Sequence, residues 1–157
     1  MDHPLKSRLL QAKQSLNDWY DALNRAWQEA EETIVSMNVG REVAVHLFDD
    51  EPEYVRDPDT GDDIVASPVY SHYLAFLKHH GKWQICYGTV PVGWDWCNEY
   101  VHSWKPIREC SKEQRVEAAE DLPRLLATVV EEAEKVSAEV EGAVGLLKEA
   151  VTPFKAR

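Results

Sequence analysis

The fold is decided by residues 73–88, which read YLAFLKHHGKWQICYG. Two runs rich in aromatic and aliphatic residues, 73–78 and 82–88, flank the tripeptide His79-His80-Gly81. Such runs on either side of a glycine-containing turn are typical of antiparallel strands. Glycine suits a two-residue turn because it readily adopts a positive φ. The stretch therefore predicts a β-hairpin that turns at His80-Gly81.

One face of this hairpin is expected to be buried. With a two-residue turn, the side chains that share this face are Leu74, Phe76, Lys78, Trp83, Ile85 and Tyr87. Cross-strand aromatic and aliphatic pairs stabilise a sheet when another element covers them.

Strand-like patterns continue toward the N-terminus. Residues 43–48 alternate with a period of two, which places Val43, Val45 and Leu47 on one face and Ala44, His46 and Phe48 on the other. This pattern is typical of a strand. The turn-forming segment 57–62 lies between short runs at 53–55 and 64–65, which predicts a short acidic hairpin. We therefore expect an antiparallel β-meander of three to five strands within residues 41–104.

Residues 5–37 are predicted to form one long helix. Apolar or small residues recur at a spacing of four and three, which places on one side Leu5, Leu9, Ala12, Leu16, Trp19, Leu23, Ala26, Ala30 and Met37. This seam continues over about 50 Å at 1.5 Å per residue. Pro4 suits the first turn of the helix, and Asn38 or Gly40 suits its end.

The last third of the chain, residues 112–151, is also predicted to be helical. The same spacing connects Leu122, Leu126, Val129, Ala133, Val136, Val140, Ala143, Leu147 and Ala150. Ser111 and Gln114 match a capping box, which predicts that a short helix starts at Lys112. Pro123 removes a backbone donor, so we expect either a kink or a restart of the helix there, with Asp121 as the candidate cap.

These elements define an α+β fold with a long N-terminal helix, a small antiparallel β-meander and a C-terminal helical pair. The helices should cover one face of the sheet. Because each long helix outreaches strands of about 20 Å, part of each seam must pair with the other helix or with a second subunit. We favour a homodimer whose interface includes Leu9, Leu16, Trp19 and Leu23.

The composition predicts one domain that folds without a disulfide framework. The chain has 157 residues, 44% of them hydrophobic, and 17 Lys and Arg against 28 Asp and Glu, for a net charge of −11. This charge disfavours nucleic acid and anionic membranes as partners and favours a basic protein partner. The three cysteines, an odd number, together with the lack of a signal-peptide or membrane-spanning pattern predict a cytoplasmic protein with reduced thiols.

An acidic stretch is the first candidate partner-binding site. Residues 49–63 carry eight carboxylates against the single Arg56, and their summed field would attract a basic surface. The candidate contact residues are Asp57, Asp59, Asp62 and Asp63. The alternatives are a solvated loop that only maintains solubility and a calcium site, although the EF-hand spacing is absent.

A tryptophan-rich stretch is the second candidate. Trp94 and Trp96, with Tyr100 and Trp104, follow the strand-breaking tripeptide 91–93. Aromatic side chains on a loop are effective interface anchors, and Trp94 and Trp96 are the candidate contact residues. The same side chains would equally close the end of the sheet as core, or stack on a sugar or base.

The cysteine and histidine residues give a weaker signal. Among Cys86, Cys97, His102 and Cys110, which are of the types that bind zinc, only Cys97 and His102 lie close together in the sequence. The other spacings do not fit a structural zinc site. The chain contains no phosphate-binding, dinucleotide-binding, metalloprotease or nucleophile-elbow motif. We therefore assign no catalytic residue, no metal and no cofactor.

The function that these features favour is a non-enzymatic, acidic protein-binding module. It would act as an inhibitor or adaptor that occupies a basic, nucleic-acid-binding surface of its partner. Small acidic proteins that phages and mobile elements direct against host defences are similar in size and charge, although no motif is shared. Two alternatives are a small metal- or ligand-binding enzyme built around His72, Asp95, Cys97 and His102, and a coiled-coil assembly element.

Overall fold

The α+β class is confirmed by a computed structural model that describes residues 3–98 and 103–155. In chain order, the described elements are α1 (Pro4–Ser36), β1 (Val43–Asp49), β2 (Tyr54–Arg56), β3 (Asp63–Val65), β4 (Tyr70–His79), β5 (Lys82–Pro91), β6 (Lys105–Pro106), a 3-10 turn (Ile107–Glu109), α2 (Lys112–Ala119) and α3 (Leu122–Lys155). The long N-terminal helix and the C-terminal helical pair are thus both present.

The central hairpin of β4 and β5 has the predicted turn and register. His80 and Gly81 adopt positive φ angles of 49° and 79°, as a two-residue turn that follows the strand twist requires. Leu74 lies opposite Tyr87 and Phe76 lies opposite Ile85. These four side chains are at most 5% exposed, so this part of the predicted face is buried. Trp83 is only partly buried and Lys78 is exposed.

The sheet is antiparallel, with the strand order β1-β4-β5-β6. The β2–β3 hairpin forms a separate two-stranded sheet between β1 and β4 in the chain. A register shift lies between His46 and Phe48 of β1, and such irregularities bend a strand and increase its twist. The acidic hairpin therefore leaves the main sheet at the end of β1 and the chain re-enters it at β4.

The helices pack on one face of the sheet and form the main core with it. α1 contributes Trp27 and Ile34, and α3 contributes Leu125 and Val129, all at most 2% exposed. The Trp27 indole N–H also donates to the backbone carbonyl of Arg115 at 3.2 Å, which fixes α1 against α2. The second half of α1 and the first half of α3 therefore hold the helices on the sheet.

A buried carboxylate couples α1 to the edge of β5. Within the described part of the chain, β6 pairs with Cys86 and Tyr87, and no other strand pairs with the first half of β5 on that side. Glu31 of α1, only 6% exposed, accepts a hydrogen bond from the Ile85 N–H at 2.8 Å. Its other oxygen lies 3.4 Å from the guanidinium of Arg108. This carboxylate satisfies a backbone donor that would otherwise be buried without a partner.

The opposite face of the sheet carries a smaller core. Ala75, Leu77 and Cys86 are buried there, and Trp104 packs against them. The Trp104 ring lies so close to Gly88 that a Cβ at that position would overlap it. Trp104 therefore acts as a core side chain, as one of the three interpretations of the tryptophan-rich stretch expects.

The predicted capping box at Ser111 and the restart of the helix near Pro123 are both present. The Ser111 hydroxyl accepts from the Gln114 N–H at 3.2 Å, and the Gln114 side chain accepts from the Ser111 N–H at the same distance. α2 ends at Ala119, and α3 restarts with Pro123 in its first turn, where the missing N–H costs nothing. The Asp121 carboxylate accepts a hydrogen bond from the Arg124 guanidinium at 2.6 Å.

Both long helices extend far beyond the sheet. Every residue of α1 from Pro4 to Trp19 is exposed, and so is every described residue from Ser137 onward in α3. We call these segments the α1 projection (residues 4–19) and the α3 projection (residues 137–155). No helix within the described residues has both the length and the apolar character needed to span a membrane.

The two projections lie at opposite ends of the sheet. Near one end, Asn24 of α1 is hydrogen-bonded to Arg115 of α2, the helix that leads directly into α3. Near the other end, Arg41, just after α1, forms an ion pair with Glu139 of α3. α1 and α3 therefore run in the same direction, so the first half of α1 and the second half of α3 extend away from each other.

Candidate protein-binding surfaces

The structure brings the two sequence-predicted binding elements to the same end of the sheet. The acidic hairpin leaves β1 at Asp49 and returns at Tyr70, and Tyr70 pairs with Pro91 at the end of β5. The loop that carries Trp94 begins there, and its Val92 N–H donates to the Val69 carbonyl at 3.1 Å. Both elements thus emerge from neighbouring strand ends.

Backbone hydrogen bonds give the tip of the acidic hairpin a defined shape. The N–H of Asp57 donates to the Asp62 carbonyl, and the Gly61 N–H donates to the Asp57 carbonyl, both at 2.8 Å. The Asp57 carboxylate accepts from the Asp59 N–H at 2.8 Å, which lowers its pKa. Gly61 has a φ of 72°, which favours glycine at this position. Asp57 therefore shapes the turn, whereas the other acidic side chains extend from it.

The strands of the acidic hairpin are not packed into the core. All residues of β2 and β3 are exposed, including Tyr54 at 63% and Val65 at 48%. An isolated two-stranded hairpin is only marginally stable in water. Within residues 3–98 and 103–155, no Lys or Arg forms an ion pair with Asp57, Asp59, Asp62 or Asp63. The hairpin therefore presents uncompensated negative charge next to exposed apolar side chains.

A polar network at the base of the hairpin was not anticipated from the sequence. The N–H of Asp50 donates to the Tyr70 carbonyl at 2.8 Å, and an oxygen of its carboxylate lies 2.6 Å from the His72 ring. The neighbouring Asp49 accepts from the Ser71 hydroxyl at 2.5 Å and lies 2.7 Å from the His46 ring. These contacts lower the pKa of Asp49, with the Ser71 hydroxyl as the main cause.

This network occupies His72, which the sequence analysis had placed in a candidate enzyme site. The other nitrogen of the His72 ring is hydrogen-bonded to the Tyr87 hydroxyl, and Phe48 stacks on the ring at a centroid distance of 4.2 Å. Burial raises the pKa of Tyr87 to about 12. His72 therefore links the base of the hairpin to the core. From the sequence, this role of His72 could be predicted only from the strand register, which places His72 in β4 between β1 and β5.

The tryptophan-rich stretch divides into an exposed and a packed part. Trp94 is 50% exposed on a turn in which its N–H donates to the Pro91 carbonyl at 3.0 Å. Trp96 is half-buried and meets Trp104 edge to face, with ring centroids 6.4 Å apart. Trp94 is thus available to a partner, whereas Trp96 contributes to the packing over the sheet. Tyr100 lies outside the described residues.

Cys97 does not have the environment of an activated thiol. Its side chain is exposed, and a hydrogen bond with the Asp95 carboxylate raises its pKa. A raised pKa reduces the thiolate fraction on which nucleophilic and metal-binding chemistry depend. Burial raises the pKa of Cys86 to about 12. His102, the proposed companion of Cys97, lies outside the described residues.

A third surface follows the predicted seam of α1. A groove of about 680 Å³ is lined by Leu16, Trp19, Tyr20, Ala22, Leu23, Ala26 and Val116. Leu9, Leu16 and Trp19 of the proposed oligomer interface are exposed, at 62%, 55% and 73%. Leu23, the fourth, is partly buried against the core. Exposed apolar surface of this extent commonly marks an interaction site.

The described residues hold no arrangement of metal ligands. No three His, Cys, Asp or Glu side chains within 3–98 and 103–155 are placed to bind one ion together. Comparison with known proteins adds no name to this site, since no family model, curated protein or solved structure matches the chain. The three surfaces are therefore judged from their own geometry and charge.

Proposed function

We propose that this protein is a non-enzymatic binding module that contacts a basic protein partner with the end of the sheet that carries the acidic hairpin and Trp94. The observation that supports this most directly is that these two elements emerge side by side, at Tyr70 and Pro91. A single partner surface would then reach both. The carboxylates supply long-range attraction, and the indole supplies buried area.

The charge of the hairpin favours a basic partner. Asp59, Asp62 and Asp63 are exposed and sit on a tip whose backbone is fixed by the hydrogen bonds of Asp57. A tip whose backbone is restricted by hydrogen bonds loses less conformational entropy on binding than an irregular loop would. Tyr54, exposed beside them, adds an aromatic anchor of the kind enriched at interfaces.

The most specific form of the proposal is that the partner surface also binds nucleic acid. Surfaces that bind nucleic acid are clusters of Lys and Arg that neutralise phosphates. A row of carboxylates on a defined hairpin carries negative charge, as a row of phosphates does, and can bind to such a surface in their place. Binding would then exclude DNA or RNA, and the protein would act as an inhibitor.

The experiment is affinity capture from a nuclease-treated lysate of the source organism, at low and at high salt. The test variant is Asp59→Asn/Asp62→Asn/Asp63→Asn, which leaves the turn-forming Asp57 in place. The control is Glu29→Gln/Glu109→Gln/Glu113→Gln, which removes the same charge from exposed residues elsewhere. Trp94→Ala tests the aromatic contact. Circular dichroism must first show that each variant is folded.

We expect the wild type and the control to capture the same basic protein. The hairpin variant should bind it at least about tenfold more weakly, because three exposed charge pairs are lost. An excess of duplex DNA should compete if the partner surface binds nucleic acid. Binding that resists salt and is equal in the hairpin variant and the control would disprove the proposal.

A further inference from the structure

The apolar seam of α1 continues from the α1 projection onto the body of the protein. On the projection, the large seam side chains that are more than half exposed are Leu5, Leu9, Leu16 and Trp19. The groove described above extends the seam over Leu23 and Ala26 and reaches Val116 of α2. An apolar spacing of four and three over three heptads is typical of a helix that pairs with a second helix. Because a helix of this length is marginal in water unless its apolar face is packed, we expect a further helix to cover the seam.

The charges of α1 are separated along its length. Between Pro4 and Asn17 the chain has three cations, Lys6, Arg8 and Lys13, and no Asp or Glu. The second half, residues 18–36, carries against the single Arg25 the exposed carboxylates of Asp18, Asp21, Glu29 and Glu32. A parallel pair of α1 helices would bring the two basic halves together, whereas an antiparallel pair brings each basic half onto an acidic half. Opposite potentials favour association and fix its orientation, so the pattern fits a second copy of α1 in the antiparallel direction.

The part of this surface that α2 contributes is also acidic. Glu113 and Glu120 lie three and four residues from Val116, and therefore on the same side of α2. Both are exposed. Lys112 is on this side as well, and its ammonium lies 4.6 Å from the centre of the Tyr20 ring. Two carboxylates beside one ammonium leave an excess of negative charge for the Lys and Arg side chains of an incoming α1 helix.

The sizes of the seam side chains fit the same antiparallel arrangement. If a twofold axis passes between Leu16 and Trp19, the facing seam pairs are Leu9 with Ala26, Ala12 with Leu23, and Leu16 with Trp19. Two of these pairs place a large side chain opposite alanine, which fills the space between two helices without a void. A parallel, in-register pair would place Ala12 on Ala12 and Trp19 on Trp19, which leaves a gap at one level and crowding at another.

We infer that two copies of the chain pair through antiparallel α1 helices, so that the basic projection of each copy occupies the acidic-bordered groove of the other. Such a contact uses the same patch on both copies and closes with two. From Leu9 to Ala26 the overlap is about 26 Å at 1.5 Å per residue. The α3 projection fits this surface less well, because Lys148 and Lys155 offset its glutamates. The interface is separate from the acidic hairpin and does not depend on the proposed partner.

The first experiment measures the mass of the full-length protein by sedimentation velocity over a range of concentrations. The test variant is Leu9→Asp/Leu16→Asp, which places charge in the seam. The control is Ser7→Asp/Gln14→Asp, which adds the same charge at exposed positions on the opposite side of α1. We expect the wild type and the control to form a dimer and the seam variant to be monomeric. A monomeric wild type, or a seam variant that dimerises as tightly as the control, would overturn the inference.

The second experiment tests the orientation with single cysteines. Leu9→Cys and Ala26→Cys are each introduced into a Cys97→Ser background, because Cys97 is exposed and Cys86 and Cys110 are buried. Under mild oxidation we expect a disulfide-linked dimer on a non-reducing gel in a mixture of the two variants, and little in either variant alone. Cross-linking of Leu9→Cys with itself would indicate a parallel pair. A dimer that no combination cross-links would place the contact elsewhere, and either result would contradict the antiparallel pairing.

A charge exchange tests the register and leaves every apolar side chain in place. Arg8 precedes the seam residue Leu9 and Glu29 precedes Ala30, so both flank the seam. Flanking residues of paired helices face each other, which brings Arg8 of each copy near Glu29 of the other. We expect Arg8→Glu or Glu29→Lys alone to weaken dimerisation about tenfold at low salt, since two attractive pairs become repulsive.

The double variant Arg8→Glu/Glu29→Lys should restore dimerisation, because both pairs are attractive again. High salt should reduce the differences among the four proteins. Single variants that dimerise like the wild type at low salt, or a double variant that is weaker than both single variants, would contradict the register. Circular dichroism would show that the helices are retained in each variant.

Discussion

Replacing Glu31 tests how α1 is attached to the sheet. Its carboxylate accepts from the Ile85 N–H at 2.8 Å and lies 3.4 Å from the Arg108 guanidinium. In Glu31→Ala the Ile85 N–H loses its acceptor, and an unsatisfied buried donor costs about 1–3 kcal/mol. Arg108 is partly exposed and can be rehydrated, so loss of the ion pair adds at most about 1 kcal/mol. We expect Glu31→Ala to lower the free energy of unfolding by about 3 kcal/mol.

The matched variant Glu31→Gln separates the two contributions. Its amide oxygen can still accept from the Ile85 N–H, and only the charge toward Arg108 is lost. We expect a loss of about 1 kcal/mol. Urea unfolding followed by tryptophan fluorescence would give both values, and the alanine variant should melt about 6–12 °C below the wild type.

Either of two results would refute this reasoning. If Glu31→Gln is as unstable as Glu31→Ala, then the charge, and not the hydrogen bond to the sheet edge, stabilises the contact. If neither variant is destabilised, the carboxylate does not hold α1 on β5. Circular dichroism of the native states would show that the helices are retained in both variants.

Three further predictions concern the sheet, the thiols and the acid response. Gly88→Ala should destabilise the protein by about 1–3 kcal/mol in urea unfolding, because its methyl group overlaps the Trp104 ring; an unchanged midpoint would mean that the ring moves freely. In the native protein a thiol reagent should modify the exposed Cys97 first, whereas the buried Cys86, with a pKa of about 12, should react only on unfolding; mass spectrometry would identify the modified residue. The pKa of Asp49 is lowered from its ordinary value of 3.8, so its contribution to stability is present above that pH and is lost as the pH falls through the lower, folded-state pKa. The stability difference between wild type and Asp49→Asn should therefore shrink in acid, and a difference that is constant with pH would contradict it.

Features that depend only on neighbouring residues could be predicted from the sequence. The turn at His80-Gly81 requires positive φ angles, and the hairpin register follows from it. The capping box at Ser111 and the restart near Pro123 depend on local hydrogen bonds. These features need no information about distant parts of the chain, and all of them are present in the structure.

The candidate surfaces could be predicted only partly from the sequence. The acidic hairpin was evident from its composition, but its place beside the loop of Trp94 required the pairing of Tyr70 with Pro91. Likewise, Trp94 and Trp104 have the same side chain and belong to the same tryptophan-rich stretch. One is half exposed and the other covers Gly88, because Trp104 directly precedes β6, which pairs with β5.

The sequence by itself determined that long amphipathic helices precede and follow the strands of a small sheet. The helical spacing of four and three and the strand spacing of two are properties of the chain alone. Only the tertiary structure decided which part of each seam is core. In the α3 seam Val129 is buried and in the α1 seam Leu23 is partly buried, whereas Leu9 and Leu147 of the same two seams are exposed. The buried Trp27 and Leu125 lie one position beside the predicted seams. The physical reason is length: the ten-residue strands β4 and β5 end after about 33 Å and the helices continue to about 50 Å, so an apolar pattern is covered only where there is a sheet beneath it.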